Sequence, residues 1–395
     1  MNILVLTSVF YVPGKSKEYN TKIVNYFISE WVDQGHSVIV VYNKTIFPKL
    51  YYLFPEKVYD FIEGHLGLVI DNKDAIDGDI NIYKGATVIT LPMIKYFPHG
   101  VFSKSTLDNQ ISKINFFLEE NNFIPDVILG HWDKPQLNLI PELKKKYKCK
   151  SSLVFHSPLK DFSTLMERKL NSFNSIGFRN ASILEQTKSK FDSLNNTFIC
   201  YSGIPDSLFI DNESNPKSFS NKISKHIFVG GLIKRKFPLQ TLQALIDLNK
   251  DFTFDIIGQG SEFKKIQDLI QINELEKTVI LHGRISRKEI ISKFNIAECF
   301  TMISKDEAFG LVYLEAMSCG CIVIGAKNEG IDGIIIHGIN GFLCEAGNVE
   351  ELVGIYRYID SLSINELQKI SDAAFTTSKN FTDSEVAKRY LQIFN

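Results

Sequence analysis

Short runs of apolar, often β-branched residues alternate along the chain with longer stretches whose apolar positions recur every three or four residues. In the first half, Ile3–Leu6, Ser37–Tyr42, Ala86–Leu91, Asp126–Leu129 and Ser152–Phe155 read as strands. The stretches 20–34, 105–122, 135–147 and 163–173 read as the helices between them. The second half repeats the scheme, with strands at His226–Val229, Thr253–Ile257, Thr278–His282, Cys299–Ile303 and Cys321–Gly325. Its helices are expected at 238–249, 261–273, 286–294, 310–318 and 349–360. Uniformly apolar strands separated by helices are the pattern of a parallel sheet covered on both faces. The polar stretch Asp211–Lys222 reads as a linker, so the pattern predicts two Rossmann-like α/β domains in tandem. Ligands of doubly wound sheets lie beyond the carboxyl ends of the strands. Two such domains facing each other would share one cleft, lined by the loops that follow strands.

Composition narrows the classes. The 395 residues are 44% hydrophobic and 23% charged, an ordinary globular profile. Residues 1–200 carry 23 basic and 20 acidic side chains, and the remainder 21 and 25, so neither half has the basic excess of a nucleic-acid coat. Cys149, Cys200, Cys299, Cys319, Cys321 and Cys344 form no C-x-x-C pair, which disfavours a zinc site and fits a reducing compartment. The N-terminus reads as a first strand rather than a signal peptide, and no apolar run reaches transmembrane length. A cytoplasmic protein with at most peripheral membrane contact is expected.

The densest chemical signal is Asp306-Glu-Ala-Phe-Gly-Leu-Val-Tyr-Leu-Glu315, which follows an apolar strand and enters a helix at Gly310. A helix N-terminus at a strand end offers free N–H groups and a dipole suited to phosphate. Glu307 and Glu315 on either side of an anion site make sense if each binds hydroxyls, as a sugar nucleotide would supply. The alternative is a cap acid at Glu307 and a solvated helix acid at Glu315. A second signal, Gly230-Gly231-Leu-Ile-Lys-Arg235-Lys236, joins a glycine pair to three cations that can neutralise a diphosphate, or else is a solvated basic loop. The Gly258-Gln-Gly260 and His282-Gly-Arg284 turns are weaker, and they are not a dinucleotide fingerprint because position 263 is Phe. In the first half, His131 and His156 follow strands, and Gly14 and Lys15 lie in the loop after the first strand, placed to meet an acceptor. Asp77-Gly-Asp79 reads as a turn rather than a metal site, and no Walker, G-x-S-x-G or H-E-x-x-H motif occurs.

The run Glu307-Ala-Phe-Gly-Leu-Val-Tyr-Leu-Glu315-Ala-Met-Ser-Cys-Gly resembles the E-x7-E signature of glycosyltransferase family 4, retaining enzymes of the GT-B fold. Gly35-His36, His156, Ser202-Gly-Ile-Pro205, Gly258-x-Gly260, His282-Gly283, Glu329-Gly-Ile331 and Asn340-Gly-Phe342 fall in the family's order. The resemblance implies an acceptor-binding domain over 1–205 and a nucleotide-sugar-binding domain over 206–379. It further implies a helix within 380–395 crossing back to the first domain. By the same resemblance Glu315 binds ribose hydroxyls, and the Phe309, Gly310, Leu311 and Val312 backbone contacts donor phosphate and sugar. Glu307 holds the transferred sugar with His156 nearby, Lys236 binds phosphate, and the backbone around Arg284 and Ile285 reads the base. Gly231 departs from the arginine many members carry there, leaving Lys234 or Arg235 to compensate or the phosphate clamp weaker.

The implied reaction is metal-independent transfer from a nucleotide sugar, UDP-linked before GDP-linked, to a glycan or polyprenyl-linked glycan in surface polysaccharide assembly. The lysine- and aromatic-rich segments Lys44–Lys57 and Met93–Lys104 suit a bilayer interface at the inner membrane's cytoplasmic face, or else are packed loop aromatics. The competing readings are a GT-B nucleotide-sugar epimerase or phosphorylase, and a silent nucleotide-sugar-binding subunit.

Overall fold

The structure is a computed structural model that describes residues 1–12, 22–48, 77–96, 100–191, 193–209, 217–219 and 222–394. It forms two compact units, one of Met1–Arg179, Ile183–Cys200 and Ala387–Asn395, the other of Asn180–Ser182 and Tyr201–Val386. Most of the linker stretch Asp211–Lys222 lies outside the described residues.

The first unit runs β1 (Asn2–Thr7), α1 (Ile23–Asp33), β2 (Ser37–Ile46), β3 (Asp79–Tyr83), β4 (Ala86–Ile94), α2 (Lys104–Glu120) and β5 (Val127–His131). It continues through α3 (Gln136–Tyr147), β6 (Lys150–Phe155), α4 (Thr164–Leu170), β7 (Ser175–Phe178), α5 (Ala181–Lys188), which belongs to this unit from Ile183 onward, and β8 (Thr197–Ile199). The sheet order is β3-β4-β2-β1-β5-β6-β7-β8, with only β3 antiparallel to its neighbour. Ile3, Leu4, Val5 and Leu6 are fully buried because the sheet is covered on both faces. Leu4 and Leu6 join Ile39, Val41, Ile89 and Leu91 against Ile114 and Leu118 of α2 and Ile140 and Leu143 of α3. The alternating pleat turns Ile3 and Val5 to the opposite face.

There the chain's last helix joins α1. Trp31 of α1, fully buried, donates from its indole N–H to the Ala387 carbonyl at 3.0 Å. Tyr390 meets Phe27, Trp31 and Phe198 with ring centroids 5.3–5.6 Å apart and shares a 3.0 Å hydrogen bond with Ser152. A buried aromatic with a satisfied polar tip anchors that return.

The second unit runs β9 (Lys225–Val229), α6 (Pro238–Asp247), β10 (Thr253–Ile257), α7 (Phe263–Ile272), β11 (Val279–Gly283), α8 (Arg287–Ile296), β12 (Cys299–Thr301) and α9 (Leu311–Ser318). It ends with β13 (Ile322–Ala326), β14 (Phe342–Cys344), α10 (Val349–Ser361), α11 (Ile364–Lys379) and α12 (Asp383–Gln392), whose residues from Ala387 onward belong to the first unit. Its parallel order, β11-β10-β9-β12-β13-β14, is that of a doubly wound Rossmann sheet.

Several elements differ from expectation. The strand expected at Cys299–Ile303 ends at Thr301, and β2 and β4 run to Ile46 and Ile94, beyond Tyr42 and Leu91. The short strands β7, β8 and β14 were not expected: three to four residues carry too little periodicity to distinguish a strand from a loop. Strand β3 exposes Ile80 and Ile82 at the sheet edge, so its apolar positions do not mark a buried face. Asp77-Gly78 is a turn, Gly78 having φ +78°, that leads into β3. None of the six cysteines, all described, is in a disulfide. Among the described residues no helix is long and apolar enough to cross a membrane.

Each unit encloses a histidine. His131 and His226 are 0% and 3% exposed, and burial lowers each to a pKa of about 3, with Arg179 and Lys250 respectively disfavouring the charged ring further. The unfolded chain takes up these protons near pH 6.5 and the folded chain does not, so stability is complete above that pH and declines below it. Denaturant titrations at pH 7 and pH 5 should differ by about 2 kcal/mol for each such histidine, and His226→Leu should remove one share of the slope.

Candidate functional site

The order of the second sheet reverses between β9 and β12. These strands pair only at Cys299–His226 and Phe300–Ile227, after which the chains leaving their carboxyl ends part. Such a switch point is where a doubly wound sheet opens a crevice for ligand.

After β9, Lys234–Lys236 form one turn of 3-10 helix, and Phe237 in the left-handed region turns the chain into Pro238 of α6. After β12 comes Ser304–Gly310. The Lys236 ammonium stands 2.7 Å from Glu307 Oε2, with both side chains largely buried. Arg235 donates to the carbonyls of Lys305 and Asp306 at 3.2 Å each, and Lys305 N–H returns a bond to the Arg235 carbonyl at 2.7 Å. Its guanidinium is therefore spent largely on holding the second loop, with Glu307 at 3.8 Å. Glu307 is fixed from behind as well: its N–H donates to Glu329 Oε2 at 2.8 Å, and its carbonyl accepts from Gly330 N–H at 2.9 Å. A Cβ at Gly330 would lie 2.5 Å from Phe309 N, so glycine is required for that approach.

Gly310, with φ +78°, starts α9, and Leu311 and Val312 supply first-turn N–H groups that have no intrahelical acceptor. Phe309 is buried, 5.8 Å from the Tyr201 ring. Glu315, one and a half turns along, has a side chain only 13% exposed and sits 2.5 Å from Arg287 of α8. Burial raises its pKa, and Arg287 acts against that rise. Glu315 is thus not the solvated helix acid of the alternative reading.

The turns after β10 and β11 complete the floor. Gly258, at φ +146°, approaches so closely that a Cβ would lie 1.8 Å from the Gly230 carbonyl oxygen. Gly230 N–H bonds Ile257 O, Leu232 N–H bonds Gln259 O, and Gly258 N–H bonds Gly283 O, at 2.8–3.0 Å. Arg284 is exposed and Ile285 half-buried just beyond. Gly231, in contrast, has nothing within 4 Å of its would-be Cβ except Ile233 Cγ1 at 4.0 Å.

In the first unit, β5 ends at His131, and His156 follows the neighbouring strand β6. Their rings meet, His131 Nδ1 to His156 Nε2 at 3.1 Å. Trp132 stacks on His156 with centroids 3.9 Å apart and planes 10° from parallel. The buried Arg179 donates to the Cys200 carbonyl at 2.6 Å; burial, and after it the charge of Arg179, lowers the pKa of both imidazoles. Gly14 and Lys15 lie outside the described residues, as do 49–57 and 97–99 of the aromatic–lysine segments. Among the described residues no group of three or more His, Cys, Asp or Glu side chains is arranged to hold a metal ion.

The structure thus brings Arg235, Lys236 and Glu307 together, and puts Leu311, Val312 and Glu315 on one helix. Gly231, Gly258, Arg284 and Ile285 fall on adjoining loops. Sequence reading missed Arg287 as the partner of Glu315 and Glu329 as the clamp on Glu307. Ser286-x-x-Glu289 marks the start of α8 as a capping box, yet nothing in it shows that Arg287 faces a carboxylate 28 positions onward. Trp132 and Arg179 carried no motif at all.

These features define a two-unit α/β protein whose second unit holds a helix N-terminus flanked by two fixed carboxylates. Residues 209–378, which contain that site, match the family of glycosyl transferases group 1. It is 34% identical over 131 residues, 33% of this chain and 34% of the relative, to N-acetyl-alpha-D-glucosaminyl L-malate synthase of Bacillus anthracis. It is 29% identical over 164 residues, 40% of this chain and 24% of the relative, to poly(glycerol-phosphate) alpha-glucosyltransferase of Bacillus subtilis. Such matched segments span less than half of the curated relatives' own length. The crystal structure of Anabaena HepE in complex with UDP superposes with a TM-score of 0.65 at 17% identity, covering 100% of this chain and 99% of that one. The fold is GT-B.

The packing yields a contrast between two neighbouring glycine positions. Gly258→Ala should cost about 1–3 kcal/mol in denaturant unfolding, because the new methyl group strikes backbone. Gly231→Ala should be within about 0.5 kcal/mol of wild type.

Proposed function

We propose that the protein is a retaining glycosyltransferase, moving a sugar from a nucleotide-sugar donor to a glycan or lipid-linked glycan acceptor in surface polysaccharide assembly. The observation that carries this reading is the Lys236–Glu307 pair set beside the first turn of α9, with the half-buried acid Glu315 farther along the same helix. Cations and free N–H groups suit a diphosphate, while carboxylates suit hydroxyls and a ring that gains positive charge.

In this reading Lys236 and the Leu311 and Val312 N–H groups stabilise the diphosphate as its bond to the anomeric carbon breaks. The acceptor oxygen bonds that carbon on the same face, and its proton passes to the departing phosphate oxygen, so no protein base is consumed. Glu307, held by Glu329 and Gly330, orients the sugar and favours its positive charge. Glu315 accepts from the ribose hydroxyls, and Arg287 keeps it anionic despite burial. His156 offers a neutral hydrogen bond to a sugar hydroxyl. The α-linkages in the two relatives' names support retention, and the UDP complex of HepE supports a UDP-sugar donor. The acceptor class rests on the aromatic–lysine composition of 44–57 and 93–104, which also motivates action at the cytoplasmic face of the inner membrane.

Calorimetric titration with UDP and GDP, without metal, should show one nucleotide binding. Glu315→Ala should weaken it about 10–100-fold through loss of charge-assisted hydrogen bonds. Glu307→Gln should keep nucleotide affinity while lowering sugar transfer about 10²-fold or more. Binding of neither nucleotide, or an inverted product anomer, would sink the proposal.

Acidity gives a separate check. Because burial raises the pKa of Glu315, nucleotide affinity should fall on acidification at a higher pH than an ordinary glutamate would dictate. Arg287→Met removes the opposing charge and should move that fall to still higher pH, as titrations across pH 5–8 would reveal.

A further inference from the structure

Two neutral imidazoles joined by one hydrogen bond share a restricted proton inventory. His131 lies wholly buried between the rings of Phe27 at 5.8 Å and Tyr390 at 5.7 Å. Its Nδ1 faces His156 Nε2 at 3.1 Å, and its Nε2 has no hydrogen-bond partner among the described residues. Were His156 Nε2–H the donor, His131 would carry its own proton on Nε2, a buried N–H without an acceptor. Such orphaned donors are rare and costly. The opposite arrangement leaves only a lone pair unmatched: His131 Nδ1–H donates, and His156 then bears its proton on Nδ1. His156 Nδ1 makes no hydrogen bond to a described residue, and the residue is only partly buried.

The backbone reinforces this geometry. Trp132 adopts φ +65°, which is strained for a bulky side chain, and its N–H bonds the Val154 carbonyl at 3.0 Å. That conformation lays the indole flat on the His156 ring. We infer that His131 is a positioning residue that fixes His156 as a neutral Nδ1–H hydrogen-bond donor, with Trp132 setting its ring plane. His131 thus acts through His156 rather than on the acceptor side directly. This inference rests, for its effect on catalysis, on the proposed contact between His156 and a sugar hydroxyl. In that role the imidazole supplies a proton to a hydrogen bond and does not remove one.

The test is long-range proton–nitrogen NMR on the full chain with ¹⁵N-labelled histidine and no ligand. His156 should be the Nδ1–H tautomer in the wild type. His131→Phe should convert it largely to Nε2–H, and His131→Asn, whose amide can donate from near the Nδ1 position, should restore Nδ1–H. An Nε2–H tautomer in the wild type, or one unchanged by His131→Phe, overturns the inference; the wild-type measurement decides it even where a variant fails to fold. Turnover of a nucleotide sugar is read in parallel. His131→Phe should lower kcat/KM about tenfold and leave nucleotide affinity unchanged, with Asn restoring the rate. A tautomer switch with unchanged turnover supports the positioning role and rejects instead the proposed contact of His156 with sugar.

Discussion

The second unit depends on how closely backbone can approach backbone at the carboxyl ends of its strands. Gly258 sits where any side chain would collide with the Gly230 carbonyl, and that absence of a Cβ lets three successive strand-end turns bond to one another. With those turns fixed, the Lys234–Lys236 helical turn has one place to go, and Lys236 arrives beside Glu307. Gly330 provides the same service on the other side of the switch point, backing the chain that carries Glu307 and Phe309. The site is thus a consequence of close-packed glycines first and of charged residues second.

Its electrostatics follow from that packing. Two largely buried carboxylates need charged partners, and each has one: Lys236 for Glu307, Arg287 for Glu315. Arg235, one of the two cations expected to compensate for Gly231, bonds instead to two carbonyls of the loop that presents Glu307. Arg235 is therefore not free to take over a phosphate contact at Gly231, and Lys236 and helix N–H groups carry the proposed diphosphate contact.

The first unit reaches the same end with uncharged groups. Its switch point lies between β1 and β5, and His131 stands at that carboxyl end. A neutral, buried imidazole pair under a stacked indole gives direction rather than charge, which suits recognition of hydroxyls. The last turns of the chain belong to this arrangement, since Tyr390 packs against His131, Phe27 and Trp31 at once.

The amino-acid sequence by itself determined the alternation of strand and helix, because two-sided burial in a parallel sheet forces long apolar runs that are visible one residue at a time. It also determined which loops hold glycine, cation and carboxylate, since those residue types are demanded locally by tight turns and helix starts. Strands of three or four residues stayed hidden because their pairing energy comes from neighbours remote in the chain. Only the tertiary structure decided that Arg287 meets Glu315, that Glu329 holds the Glu307 backbone, and that His131 meets His156. Those pairs span 22 to 28 positions and are set by which strands the sheet makes adjacent, a choice no local pattern encodes.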